Sequence, residues 1–320
     1  MKKVLAIAFS DLHINDFTKF NKDNERTLNH FRVIFLIRDL CKKYKCPAIF
    51  CGDLFHKPEI ISNDLLNTTI DNFSKLDSDF KIYAISGNHD MNKSNTFDNK
   101  SSSWLKTLSK VYKFLECIDY TSISLKGFTI HGVPYIDHNI GLNTYLKKLK
   151  LSDDKPNILV LHTDYPGAKD TDGTEVNTVE NLNTNILSRF DLVLMGHIHK
   201  PQRLSKKVYM IGAPLQQRRT DRDCKLGYWI IYEDLTLKFI PFDNFPRFID
   251  VSSENEIVED GNYYTVIQNY TPSNNATEVN KITRNISKKR VVRRYLKEKG
   301  INDVKKRDLL YSIIKEVDND

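Results

Sequence analysis

Five short apolar runs in this chain stop at the same kinds of residue, and that pattern limits what the chain can fold into. Val4 to Ser10 stops at Asp11-Leu12-His13, and Ala48 to Cys51 stops at Gly52-Asp53-Leu54-Phe55-His56. Lys81 to Ile85 stops at Ser86-Gly87-Asn88-His89-Asp90, Asn157 to Leu161 at His162, and Asp191 to Met195 at Gly196-His197-Ile198-His199. Near-continuous apolar runs read as strands buried on both faces, as in parallel sheets flanked by helices. One polar strand end is an ordinary turn, because Asn and Asp suit tight turns. Five strand ends drawn from one small set of residue types require a common cause.

The sequence between these runs fits the same architecture. A helix is expected from Glu25 to Tyr44, with Leu28, Phe31, Phe35, Ile37 and Leu40 at helical spacing, and a second from Ser62 to Leu76. The order is β-α-β-α-β, the pattern of a parallel sheet with crossover helices. A short helix at Trp104 to Val111, a hairpin around Lys126-Gly127 and a helix at Leu142 to Leu149 follow. Beyond His199 the texture is β-rich, with strands at Val208 to Ile211 and Gly227 to Phe242. The core pattern breaks near Pro246, which divides the chain into 1–245, a small region 246–277 and a helical pair 278–320.

With 320 residues, 40% hydrophobic and 28% charged, the chain can bury a full core and reads as an ordinary soluble protein. No apolar run approaches a membrane span, and the apolar start ends at Ser10-Asp11 without a cleavage site, so it reads as a first strand. The five cysteines make no even framework and read as reduced thiols in a cytosolic protein.

Carboxylate, amide oxygen and imidazole are ligands for Mn, Fe or Zn, and no thiol is among them. In open α/β sheets, ligands bind at the carboxyl ends of the strands. The D-x-H and H-x-H spacings place two side chains on one side of an extended chain, where both reach one ion. Two carboxylates, one amide and four imidazoles are too many ligands for one ion and match two. Two ions roughly 3.5–4 Å apart clamp the attacking and leaving oxygens of an in-line displacement and lower the pKa of bound water, which is the chemistry of phosphoester hydrolysis.

Together D-x-H, G-D, G-N-H-D, a lone His after a strand, and G-H-x-H resemble the motifs of the calcineurin-like metallophosphoesterases over about residues 4 to 200. The resemblance implies an α/β fold, a four-layer αββα sandwich with a small C-terminal α+β capping region. It implies that Asp11, His13, Asp53 and His199 hold one ion, and that Asp53 (bridging), Asn88, His162 and His197 hold the other. It places His89 off the metals, acting on the scissile phosphate or leaving oxygen, with Asp90 orienting its imidazole. Gly87 is expected to let the chain turn sharply off its strand.

Gly52-Asp53-Leu54-Phe55-His56 resembles the motif of the exonuclease subunit of the double-strand-break repair complex, SbcD type in bacteria, with tailed-phage counterparts. In that group a His at the position of His56 assists substrate handling, and Gly212-Ala213-Pro214 is similar to its G-S-P turn. The resemblance implies a DNA exonuclease and endonuclease using two divalent ions, Mn²⁺ before Mg²⁺, in the cytoplasm of a bacterium or phage-infected host. It also implies a homodimer built on the helices flanking Asp53 and an SMC-like ATPase partner. The rival class is a dimetal phosphoesterase acting on a small nucleotide or a phosphoprotein.

The net charge is +7, and from Lys281 to Arg307 there are twelve Lys and Arg against two acids. Lys288, Lys289, Arg290, Arg293 and Arg294 form either a DNA-phosphate contact or a solvated face. Leu309, Leu310, Ile313, Ile314 and Val317 fall at helical spacing on a stretch too small to bury them, which reads as a partner-docking surface. In the resembled group a helix-loop-helix at this place binds the base of the ATPase coiled coil.

Overall fold

The structure is a computed structural model that describes residues 2–57, 60–76, 79–91, 102–136, 139–176 and 182–267. The first half runs β1 (Val4–Phe9), α1 (Glu25–Tyr44), β2 (Ala48–Phe50), α2 (Asn63–Phe73), β3 (Ile82–Ala84), α3 (Trp104–Ser109), β4 (Leu115–Cys117), β5 (Ser122–Ser124) and β6 (Thr129–Val133). The second runs α4 (Asn139–Lys148), β7 (Asn157–His162), β8 (Leu192–Gly196), β9 (Gln202–Arg203), β10 (Val208–Met210), β11 (Gly227–Tyr232), β12 (Leu237–Pro241), β13 (Phe248–Val251) and β14 (Tyr263–Val266).

Two six-stranded sheets form, in the orders β12-β11-β1-β2-β3-β4 and β5-β6-β7-β8-β10-β9. Strict alternation along each strand explains why they stack. Ala6 and Ala8 of β1 face inward with Ile49 and Ile85, against Ile158, Val160, Leu192 and Leu194 of the second sheet. Ile7 and Phe9 face outward with Phe50 and Ile82, under Phe31, Ile34 and Ile37 of α1 and Leu65 and Phe73 of α2. Leu159, Leu161, Val193 and Met195 face the opposite exterior, under Leu142 and Leu146 of α4. The layers are therefore α, β, β, α.

Register places the strand ends side by side. Phe9 pairs with Phe50 and Phe50 with Ala84 in one sheet, and His162 pairs with Gly196 in the other. All of these pairings are parallel, so the carboxyl ends of β1, β2, β3, β7 and β8 gather at one edge of the sandwich. Two features were not expected. Leu115–Cys117 adds a fourth parallel strand beside β3, and β11 joins the first sheet antiparallel to β1.

Strands β13 and β14 pair in parallel as a separate two-stranded sheet. Their rings pack on the main body: Phe20 lies 5.8 Å from Phe248 and 5.3 Å from Tyr263. The guanidinium of Arg219 makes a two-pronged contact with Asp250, at 2.6 and 3.0 Å. The basic stretch around Lys288 to Arg294 and the amphipathic stretch from Leu309 to Val317 lie outside the described residues. Among the described residues no helix is long and apolar enough to cross a membrane.

Phe50 is 2% exposed, with its ring centroid 4.8 Å from that of Phe9 beneath α1. Phe50→Ala is expected to cost about 3–5 kcal/mol in urea unfolding. A loss under about 1 kcal/mol would mean that this layer is not close-packed.

Candidate metal centre

The gathered strand ends bring two groups of side chains together. Asp11, His13 and His199 form one, and Asp53, His162 and His197 the other, with the ligand atoms of each group within 4.8 Å of one another; a third trio within that distance, His13, His56 and His89, is imidazole only and shares His13 with the first. Asp53 lies between them. Its Oδ2 is 3.5 Å from His13 Nε2 and 3.3 Å from His162 Nε2, while its Oδ1 accepts the His89 backbone N–H at 2.8 Å. Asn88 Oδ1 is 3.1 Å from His162 Nε2 and 2.9 Å from His197 Nδ1. His13 Nε2 and His199 Nε2 face each other at 3.1 Å.

This donor set fits divalent cations on three counts. Asp11 and Asp53 are essentially buried, and neither has a Lys or Arg partner among the described residues. Buried carboxylates without compensating positive charge are costly. Asp53 Oδ2 is itself buried without a geometrically sound hydrogen bond. Third, His162 Nδ1–H donates to the Cys51 carbonyl at 2.7 Å, so in the neutral ring Nε2 carries the lone pair. That lone pair, Asn88 Oδ1 and Asp53 Oδ2 then converge as acceptors. Burial lowers the His162 pKa, yet Asp53 overrides it and lifts the imidazole to about 9, so a proton on Nε2 and a cation compete for the same carboxylate. Burial likewise raises Asp53, but His162 and His13 outweigh it and hold the carboxyl well below the usual range.

The backbone is bent to achieve this. Asp11, His13 and Asp53 sit at φ 52°, 49° and 61°, and His197 at 101°. Such conformations cost on the order of 1–3 kcal/mol each in non-glycine residues and cluster at functional sites. The extended-chain explanation of the D-x-H spacing is therefore corrected. The chain leaves β1 in two left-handed steps, held by hydrogen bonds from Asp11 N to Gly52 O (2.9 Å) and from His13 N to Asp53 O (3.0 Å).

Two further expectations change. Asp90 does not orient the His89 ring. Its Oδ2 accepts the N–H groups of Asp53 (2.8 Å) and Gly87 (2.9 Å), and its Oδ1 those of Leu54 (2.9 Å) and Phe55 (3.2 Å). It clamps the loop after β2 onto the loop after β3. Gly87 is needed for space rather than for a sharp turn, since a Cβ there would sit 2.1 Å from Asp53 Oδ1. Gly52 has the left-handed φ, +102°.

His89 and His56 stand together beside the cluster. Their rings stack at 5.3 Å, 13° from parallel, and His89 Nδ1–H donates to the His56 carbonyl at 2.6 Å. His89 Nε2 is thus left free for chemistry. Burial, then repulsion from His89 and Lys57, lowers the His56 pKa. Both rings line a cleft of about 520 Å³ with Asp53, Asn88, His197 and His199. Lys19 and Lys57 add positive charge to its walls beside Asp16, while Arg218 is paired with Asp170 and Asp221 and Arg26 is buried against Phe17.

The calcineurin-like phosphoesterase family matches residues 6–201, which contain every residue of both groups. The chain belongs to that family. Two curated relatives of this phosphoesterase are the D subunits of nuclease SbcCD from Staphylococcus saprophyticus and Staphylococcus epidermidis. Each is 26% identical over 69% of this chain, covering 62% and 63% of those proteins. A protein named as a phosphoesterase, 244L of Invertebrate iridescent virus 6, is 28% identical over 53% of the chain and 58% of its own length. The chain therefore spans about six-tenths of the length of these relatives.

Sequence reasoning missed the supports of the site. Gln217 Nε2 donates to the carbonyl of Leu12 at 3.0 Å, and its Oε1 faces His30 Nε2 of α1 at 3.4 Å. Arg26 is buried against the ring of Phe17 (3.9 Å) and donates to the Gln217 carbonyl at 2.7 Å. Residues 26 and 30 lie four apart on one face of α1, but no spacing links them to 217, so only the fold reveals the group.

Gly87→Ala is expected to weaken divalent-ion binding roughly tenfold or more, the usual size of an outer-shell effect, by displacing Asp53. Isothermal titration would contradict this if the affinity were unchanged. His30 is fully buried, and burial lowers its pKa from 6.5 to about 4. A base with a depressed folded pKa stabilises the fold above the unfolded value, and that stability is lost as pH falls from 6.5 toward 4. The loss amounts to about 3 kcal/mol. Urea unfolding of the metal-free protein across that window should show it, and His30→Gln should reduce the slope.

Proposed function

We propose that this phosphoesterase is a Mn²⁺-dependent DNA nuclease, with exonuclease and endonuclease action, working beside an SMC-like ATPase in recombination, repair or replication. The observation that carries this reading is the cleft. It is open, carries Lys19 and Lys57 on its walls, and is floored by the paired His and Asp groups. A polyanion fits such a surface. The similarity to SbcCD D subunits over 69% of the chain supports DNA as that polyanion.

Asp11, His13, Asp53 and His199 would hold one divalent ion, and Asp53, Asn88, His162 and His197 the other. When bound, the ions supply the charge that lowers the pKa of a water molecule and offsets the charge on the phosphate. His89, with Nδ1–H tied to His56 O, presents Nε2 to the leaving oxygen, and in the imidazolium form, with both nitrogens protonated, it gives that oxygen its Nε2 proton and is left as the neutral ring. His56, stacked on that ring at the mouth of the cleft, holds the phosphate in place.

Helices α1 and α2 leave Leu36 and Ile70 exposed on the outer layer, which supports a homodimer. Lys288, Lys289, Arg290, Arg293 and Arg294 are proposed to contact DNA, and Leu309, Leu310, Ile313, Ile314 and Val317 the ATPase.

End-labelled duplex DNA with Mn²⁺ tests the proposal. Wild type should degrade it, and His89→Ala should be slower by roughly 10²–10⁴-fold with its ion stoichiometry unchanged. Equal rates would remove His89 from the mechanism. Hydrolysis of a small phosphodiester with no DNA binding at low salt would favour a small-molecule substrate.

A further inference from the structure

We propose that Asp164 is a positioning residue for the Asn88/His162/His197 ion site, an outer carboxylate that fixes the His197 ring and strengthens its hold on a cation. This rests on reading those three residues as ligands. Asp164 lies outside the five motifs, two residues past His162 in the loop that leaves β7.

The geometry separates the two nitrogens of His197. Nδ1 faces Asn88 Oδ1 at 2.9 Å, inside the site, and Nε2 faces Asp164 Oδ1 at 3.2 Å, on the far side. The contact is an ion-pair approach rather than an aligned hydrogen bond, since Asp164 Oδ1 is buried without a geometrically sound one. A carboxylate only accepts, so its charge favours the tautomer with the proton on Nε2, in which Nδ1 presents its lone pair to the cation. Asp164 meets His197 at the outer nitrogen, and it is absent from the group formed by Asp53, His162 and His197. Tyr135 covers the face of the same ring, 5.9 Å away and tilted by 32°. His162 is handled in the same way, its Nδ1–H fixed by the Cys51 carbonyl. His197 stands on strained backbone, at φ 101°. An ionised outer partner also makes the imidazole a better donor and adds negative charge beside a dication.

The test is Mn²⁺ binding to the full chain by isothermal titration, with thermal unfolding of the metal-free protein alongside. Asp164→Leu removes acceptor and charge, and Asp164→Asn keeps an acceptor but loses the charge. One of the two binding steps should weaken by roughly 10–100-fold in Asp164→Leu and by less in Asp164→Asn, with the other step unchanged. A purely structural Asp164 would lower the unfolding temperature and leave both steps as in wild type, which would overturn the inference. If Asp164→Leu does not fold, wild-type binding by Asp164→Asn would overturn it. If wild type binds no ion at this site, the underlying ligand reading fails instead.

Discussion

The structure depends on one carboxylate, Asp53, held where its charge is most costly. It is 1% exposed, beside two other buried carboxylates and between imidazole groups supplied by both sheets. Its Oδ1 is tied to the loop after β3 through His89 N, and Oδ2 is left to face His13 and His162. The surrounding construction serves that placement. Asp90 gathers four N–H groups from two loops, Gly87 gives up a side chain to admit the carboxylate, and four strand-end residues adopt left-handed backbone. A fold tolerates this concentration of strain and negative charge when a ligand offsets it, and the pair of divalent cations proposed for this site would do so.

The fold supplies the stiffness. The central strands β1, β2, β3, β7 and β8 are packed on both faces, so their ends cannot shift without disturbing close-packed layers on either side. Register sets the ends of β1, β2 and β3 level and aligns His162 with Gly196, which turns five separate sequence motifs into one surface. Arg26 extends this order outward. One guanidinium packs on Phe17, lies 5.3 Å from the rings of both Phe248 and Tyr263, and bonds to the Gln217 carbonyl, so the β13–β14 unit and the loop beneath Leu12 share an anchor.

Much of this was legible in the sequence. The bounds of α1, the alternation of apolar runs and breakers, and the residues at the five strand ends all follow from local pattern, because hydrophobic period and turn chemistry act over a few residues. What could not be read depends on distant pairing. β11 joins β1 across more than two hundred residues, and Gln217 meets His30 only in the folded state. Asp90 was misassigned because its neighbour in sequence, His89, is not its partner in space. The extended geometry assumed for Asp11 and His13 failed because the chain there is shaped by backbone bonds from the adjacent loop, not by strand propensity.

The central claim is that Asp53 bridges two ions. Electron paramagnetic resonance of the purified chain titrated with Mn²⁺ tests it most directly. Two equivalents should bind, and at roughly 3.5–4 Å through a shared carboxylate they should give an exchange-coupled spectrum. Asp53→Asn should abolish that spectrum. Binding of a single ion, or of two ions with uncoupled spectra in the wild type, would contradict the account.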